Sequence, residues 1–194
     1  RASIIIENDV PVCTTGRADP GEKAVRMLKD AGVKVISVIP TVELAKRMED
    51  EGADAIVASG TEAGGHVGTI ATMPLVPMVV DAVNVPVIAT GGIGDARGFL
   101  AAFSLGALGV QIGTRFMATT ESDLNAWGLD QLLTMKETNT IVSRAMTGST
   151  VRCVATPELI AYEEARLSGA SKEDLAELRK AVVRGRNTDK DDKR

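Results

Sequence analysis

Ala89-Thr-Gly-Gly-Ile-Gly94 and Gln111-Ile-Gly-Thr-Arg-Phe116 close two successive aliphatic runs, and their shared form decides between two architectures. A strand that ends in glycine lets backbone N–H groups converge on an anion, because no side chain blocks the approach. Outward from this pair, short apolar runs at 10–14, 33–39, 55–58, 85–89 and 109–112 alternate with amphipathic stretches. Asp19-Pro-Gly-Glu22 predicts a capped helix start with Val25 and Leu28 facing inward. Thr41 caps a helix carrying Leu44, Ala45 and Met48, closed near Gly52. Thr72-Met-Pro74 opens a helix with Leu75, Val76, Val79, Val80 and Val83 at helical spacing. Asp95 caps the next, and its Phe99, Leu100 and Phe103 are expected to point inward. The β-then-α order requires a parallel sheet with right-handed crossovers. A doubly wound sheet and a (β/α)8 barrel share that order. The first strand carries no GxGxxG, against the former. Glycines at two late strand ends favour the barrel, whose phosphate site follows strands seven and eight. The expected fold is therefore α/β, the C-terminal part of a (β/α)8 TIM barrel with about five β/α units. Residues 1–7 read as the end of a helix, and about three leading units are expected to be absent.

Composition sets the class. Aromatics make up 3% of 194 residues and apolar residues 44%, so the core must be aliphatic, as in parallel strands covered by helices. A net charge of −4 offers no basic footprint for nucleic acid. No apolar stretch reaches membrane-spanning length and no signal peptide is recognisable, which makes the cytoplasm the expected location. Cys13 and Cys153 lie outside any metal-ligand spacing and are read as thiols of a reducing compartment, with no metal site. The expected organisation is barrel over 1–122, a helical extension over 123–183, and a charged, disordered tail over 184–194. Within the extension, 140–145 reads as a possible strand, and 157–167 and 171–183 as helices joined at Gly169.

The chain's one histidine stands in Ser59-Gly-Thr-Glu-Ala-Gly-Gly-His-Val-Gly68. A core histidine has no need of flanking glycines, whereas one brought against a flat ligand does. His66 is the candidate catalytic residue. Other polar residues have plainer readings: Asp95 as a helix cap, and Glu62 as a loop carboxylate without the partner that acid–base pairs have. Arg115 divides evenly between an anion contact and a salt bridge. Met73 and Met78 read as packing.

In chain order, Ala45-Lys-Arg-Met-Glu, Gly52-Ala-Asp-Ala-Ile-Val, the Glu-Ala-Gly-Gly-His block, Thr72-Met, Leu75-Val-Pro, Pro86-Val-Ile-Ala-Thr-Gly-Gly-Ile and Val110-Gln-Ile-Gly-Thr-Arg-Phe116 resemble the FMN-dependent barrel family that joins enoyl-acyl-carrier-protein reductase II to nitronate monooxygenase (2-nitropropane dioxygenase). The likeness is strong over residues 4–122 and weaker through 144–152 and beyond. It implies one FMN at the C-terminal mouth of the strands. Gly91 and Gly92 match the loop that meets the FMN phosphate, and Gln111, Gly113 and Thr114 match its second half. Ala63, Gly64 and Gly65 match the strand end against the flavin, and His66 matches the active-site histidine. The implied reaction is reduction of an enoyl thioester with NAD(P)H as co-substrate. The alternative is oxidation of alkyl nitronates with O2. Many nitronate monooxygenases carry a lysine near the position of Val38, so the resemblance leans to the enoyl reductase branch. A segment of the Ala-Gly-Gln type that often closes family members is absent. A homo-oligomer is expected. A third reading is a non-catalytic fragment, or a subunit whose barrel another chain completes.

Overall fold

The computed structural model describes residues 2–16 and 21–188. They fall into two compact units, one drawn from 1–63 and 67–123, the other from 64–66 and 124–194. The first unit holds a parallel five-stranded sheet of β1 (Val12–Thr15), β2 (Lys34–Ile39), β3 (Ala55–Ser59), β5 (Val87–Thr90) and β6 (Gly109–Gln111). β4 (Gly65–His66) belongs to the second unit. The order β1-β2-β3-β5-β6 follows the chain without reversal. Right-handed crossovers that always step the same way place their helices on one face. A doubly wound sheet instead reverses its order at a switch point, so the topology is that of a barrel wall.

β2 alternates accordingly, whereas β3 is buried on both faces from Ile56 to Ser59. Val35 and Ile39 of β2, Ile56 and Ala58 of β3, and Val87 and Ala89 of β5 are fully or nearly buried in cores with the helices, while Ile36, Val38 and Ile88 on the other face are half-buried. Helix α2 (Glu22–Asp30) packs on β2 through Val25 and Leu28, and α1 (Ala2–Glu7) packs on α2, with Ile5 and Ile6 against the same cluster. The expected cap at Asp19 and Pro20 lies outside the described residues; α2 begins after Gly21, which makes no side-chain cap. Helix α3 (Val42–Asp50) starts at Thr41, whose hydroxyl accepts the Leu44 N–H at 3.3 Å, and buries Ala45 and Met48.

Helix α4 (Thr72–Val80) holds Pro77 in its interior, which removes one backbone hydrogen bond. Its persistence rests on burial: Leu75, Val76 and Val79 are entirely inaccessible, each contributing roughly 1.5–3 kcal/mol. In α5 (Ala96–Ser104) the expected inward face is corrected. Phe99, Leu100 and Phe103 are 43%, 66% and 42% exposed, and the two phenyl rings meet at a tilt of 36° with centroids 4.8 Å apart. Ala102 is the buried residue, and a Cβ on Gly98 would stand 3.4 Å from the Ile93 Cα. Small residues let the helix close on the chain, and this displaces the large ones to its flanks. Helix α6 (Thr114–Met117) ends the units of β and α.

Within the segment expected as a helical extension over 123–183, one strand falls in the 140–145 run read as extended, and a second, which the sequence did not suggest, follows at Val151–Val154. In the second unit β7 (Thr140–Ser143) pairs antiparallel with β8 (Val151–Val154), and β8 pairs with β4. Helices α7 (Ala126–Thr134), α8 (Pro157–Leu167) and α9 (Lys172–Thr188) complete it. Ala145, Leu159 and Val182 form its buried centre, and Arg179 Nε donates to the Ala145 carbonyl at 2.9 Å. Ser171 opens α9 by accepting the Asp174 N–H at 3.1 Å and donating to its carboxylate at 2.7 Å. The segment expected as a tail from 184 is helical to Thr188; 189–194 lie outside the described residues. No helix among the described residues is long and apolar enough to cross a membrane.

Candidate functional site

Parallel pairing brings three strand ends side by side. Ser59 of β3 is in register with Thr90 of β5, and Thr90 with Gln111 of β6. This is the edge of a parallel α/β sheet where sites are built. Just past it, Gly91 and Gly92 adopt φ of 112° and 69°, a region closed to most side chains. Space closes it as well: a Cβ on Gly91 would lie 2.6 Å from Thr72 Oγ and 3.1 Å from the Ala63 nitrogen, and one on Gly92 would touch Glu62 Cβ at 3.4 Å. Among the described residues, no internal hydrogen bond engages the Gly91 or Gly92 N–H. Two such donors at a glycine turn have the chemistry of a phosphate cradle.

The neighbouring helix start is different. Asp95 caps α5 by accepting the Arg97 and Gly98 N–H groups at 2.9 and 3.3 Å. The Arg97 guanidinium donates to its carboxylate at 3.0 and 2.5 Å. With the Gly98 N–H this holds the carboxyl well below its usual range, at about 2. The Arg97 and Gly98 N–H groups at the start of α5 thus serve their own cap, which leaves the glycine turn as the place with unengaged backbone donors.

Four residues outside the expected site set organise the turn: Gly60, Glu62, Thr72 and Thr90. Glu62 accepts the Thr72 N–H at 2.9 and 3.1 Å and lies 2.8 Å from the Thr72 hydroxyl, which caps α4 where Ala71 has no side-chain cap to offer. The buried Thr72 Oγ is also 3.0 Å from the Gly91 carbonyl and 3.4 Å from that of Thr90. Gly60 donates its N–H to the Thr90 carbonyl at 3.0 Å, and the Thr90 hydroxyl donates to the Gln111 carbonyl at 2.8 Å. Gly60 has no room for a Cβ, which would overlap Thr72. A glycine just past a buried strand was the available signal for Gly60; Thr72 and Thr90 stand in segments that carry the resemblance, but nothing in the sequence marks their hydroxyls, since their partners are distant in sequence.

Of the expected residues, the first unit brings together Ala63, Gly91, Gly92, Gln111, Gly113 and Thr114. Ala63 donates its N–H to the Gly60 carbonyl at 3.1 Å. Gln111 is exposed at the end of β6, and Gly113 precedes the four-residue α6 that Thr114 begins. Gly64, Gly65 and His66 fall in the second unit. There Gly65 has φ 85°, His66 stands opposite Val151 of β8, and the exposed imidazole Nε2 is 3.2 Å from Thr147 Oγ. The loop that looks continuous in sequence is thus divided between two bodies. Cys13 and Cys153 are free thiols, and burial pushes Cys153 up.

The family model for nitronate monooxygenase matches residues 1–193. A Staphylococcus aureus (strain MSSA476) protein named probable nitronate monooxygenase is 42% identical over 158 residues, 76% of this chain and 44% of that protein. Among solved structures, FabK from Thermotoga maritima superposes with a TM-score of 0.82 at 41% identity, over 95% of this chain and 60% of that one. Nitroalkane oxidase from Streptomyces ansochromogenes gives 0.73 at 32% identity, over 80% and 48%. The chain spans about half the length of the relatives it matches, and its five β/α units are part of a (β/α)8 barrel.

Proposed function

The chain belongs to the nitronate monooxygenase family, and from that premise we propose that it forms the FMN-phosphate and active-site portion of a flavin-dependent oxidoreductase. The observation that carries this is the Gly91–Gly92 turn, with two unengaged N–H donors beside the end of β6. Backbone donors crowded by no side chain fit a phosphate. Gly91 and Gly92 hold one side of it, and Gln111, Gly113 and Thr114 the other, with the Thr114 hydroxyl as an added donor. Ala63, Gly64 and Gly65 would be the contacts of the flavin ring. FMN, when bound, supplies hydride transfer between NAD(P)H and an enoyl thioester, chemistry that no side chain of this protein performs. The residues supply distance, orientation and a proton. His66 Nε2, in hydrogen-bonding range of Thr147 Oγ, gives a hydrogen bond or proton to the thioester side of the substrate. A homo-oligomer completes the proposal.

Oxidation of an alkyl nitronate is the second reading, favoured by the relatives named for it. Two observations lean towards the reductase: FabK gives the higher similarity of the two structures, and Val38, half-buried on β2, puts an aliphatic residue where a lysine is expected in the other branch. Anaerobic stopped-flow of the FMN-loaded full-length protein separates them. Rapid bleaching by NADH or NADPH, reversed by crotonyl thioester, supports the reductase. No bleaching, with oxygen uptake on a nitronate, replaces it by the monooxygenase. Failure to retain FMN at all overturns both.

A further inference from the structure

We propose that Thr72 is a positioning residue that aims the phosphate-binding N–H groups, and that Glu62 holds it in place; this rests on reading the Gly91–Gly92 turn as the phosphate cradle. Peptide planarity is the basis. In a trans peptide the carbonyl of one residue and the N–H of the next point in opposite directions across one rigid plane. The carbonyl of Thr90 therefore fixes the direction of the Gly91 N–H, and the carbonyl of Gly91 that of the Gly92 N–H. Both carbonyls are anchored. That of Thr90 accepts the Gly60 N–H at 3.0 Å and has Thr72 Oγ at 3.4 Å, and that of Gly91 has Thr72 Oγ at 3.0 Å. Glycines are the residues whose peptide planes turn most freely, so a turn of two glycines gains most from such an anchor. A hydrogen bond at the carbonyl end also polarises the N–H at the other end, strengthening it as a donor.

Thr72 can do this because it is itself held. Its N–H and hydroxyl meet the Glu62 carboxylate, and the residue is 8% exposed. The hydroxyl has one proton, shared between the carboxylate at 2.8 Å and the Gly91 carbonyl at 3.0 Å. The lack of room for a Cβ on Gly60 or Gly91 keeps this threonine within reach of both strand ends. Thr72 touches neither phosphate nor flavin ring in this scheme, so its effect belongs to the phosphate alone.

Comparing FMN with riboflavin isolates that effect, since the two differ only by the phosphate. Dissociation constants of both are measured by flavin fluorescence on full-length apoprotein, for the parent, Thr72→Val and Thr72→Ser. Thr72→Val removes the hydroxyl at nearly constant volume and should weaken FMN roughly tenfold, the scale of one lost hydrogen bond, with riboflavin unchanged. Thr72→Ser should restore FMN binding to within about twofold. Equal losses for both ligands, or no loss for either, overturn the proposal, because a merely structural threonine gives one of those results. Should Thr72→Val fail to fold, Glu62→Gln on the exposed loop gives the same comparison: a selective loss of FMN supports the role and its absence overturns it. A parent protein that binds riboflavin as tightly as FMN removes the phosphate cradle, and the proposal with it. That result differs from a parent that prefers FMN while both variants keep the preference, which overturns only the positioning role.

Discussion

Replacing Gly92 by valine forces a branched side chain into a backbone conformation at φ 69° and against Glu62. In the full-length protein, Gly92→Val should keep its helix content by circular dichroism and lose flavin absorbance; a variant that stays yellow contradicts the cradle. Gly60→Ala should behave differently, because the clash is with the Thr72 backbone as well as its hydroxyl. Overpacking of about 3 kcal/mol should appear as a lowered thermal midpoint before any ligand is added. For His66→Ala in the full-length protein, FMN binding should survive while turnover falls by about 10²–10⁴-fold, the range for a positioned acid or base. The oxidative half-reaction should fall more than reduction by NAD(P)H; equal small effects would demote His66 to packing. Glycines and a single histidine announce themselves in a sequence because their backbone freedom and chemistry are rare. Thr72 does not: its hydroxyl acts on a carbonyl nineteen residues away, and only the sheet brings the two together.

Strand and helix order were legible for a related reason. Each β/α unit is a local pattern, an aliphatic run followed by a capped amphipathic stretch, and Thr41, Asp95 and Ser171 cap where their sequence positions predict. Thr41→Ala should therefore lower stability by about 1 kcal/mol in denaturant titration. Helix faces were less legible. In α5 the sheet-side contact is made by Ala102, with Phe99 and Phe103 left partly in water, since apolar size does not say how closely a helix packs. β4 and β8 escaped notice because a two-residue strand and Val151-Arg-Cys-Val154 offer too little alternation to read. One tie between elements has a sign that can be worked out. Asp54, before β3, accepts from Lys29 of α2 at 2.5 Å and from Lys34 and the Val35 N–H of β2 at 3.0 and 2.8 Å. Partial burial raises its carboxyl, but these donors outweigh that and hold it at about 2. A carboxyl lowered on folding from the usual ~3.9 contributes stability that is full above that value and lost as pH falls towards about 2. The thermal midpoint of Asp54→Asn should lie below that of the parent at neutral pH and converge with it across that acid window; parallel curves would show the network to be inert.

For the molecule as a whole, strand order carries the most information. A sheet that never reverses leaves β1 and β6 as its two edges, with Val12 45% exposed and Leu108, just before β6, 70% exposed. Open edges and exposed apolar surface favour association, so the 194-residue chain expressed by itself should self-associate and retain no flavin. Analytical ultracentrifugation showing a monomer with one bound FMN would count against the sheet as described. The division into two units also has a spectroscopic consequence. The chain has one tryptophan and one tyrosine, and Trp127 and Tyr162 both belong to the second unit; the first carries only phenylalanines, Phe99, Phe103 and Phe116. Indole emission is therefore a report on one unit alone, while far-ultraviolet dichroism reads both. A denaturant series followed by the two signals together shows, without any label, whether the strand ends beside the Gly91–Gly92 turn melt in the same transition as the strand that carries the imidazole.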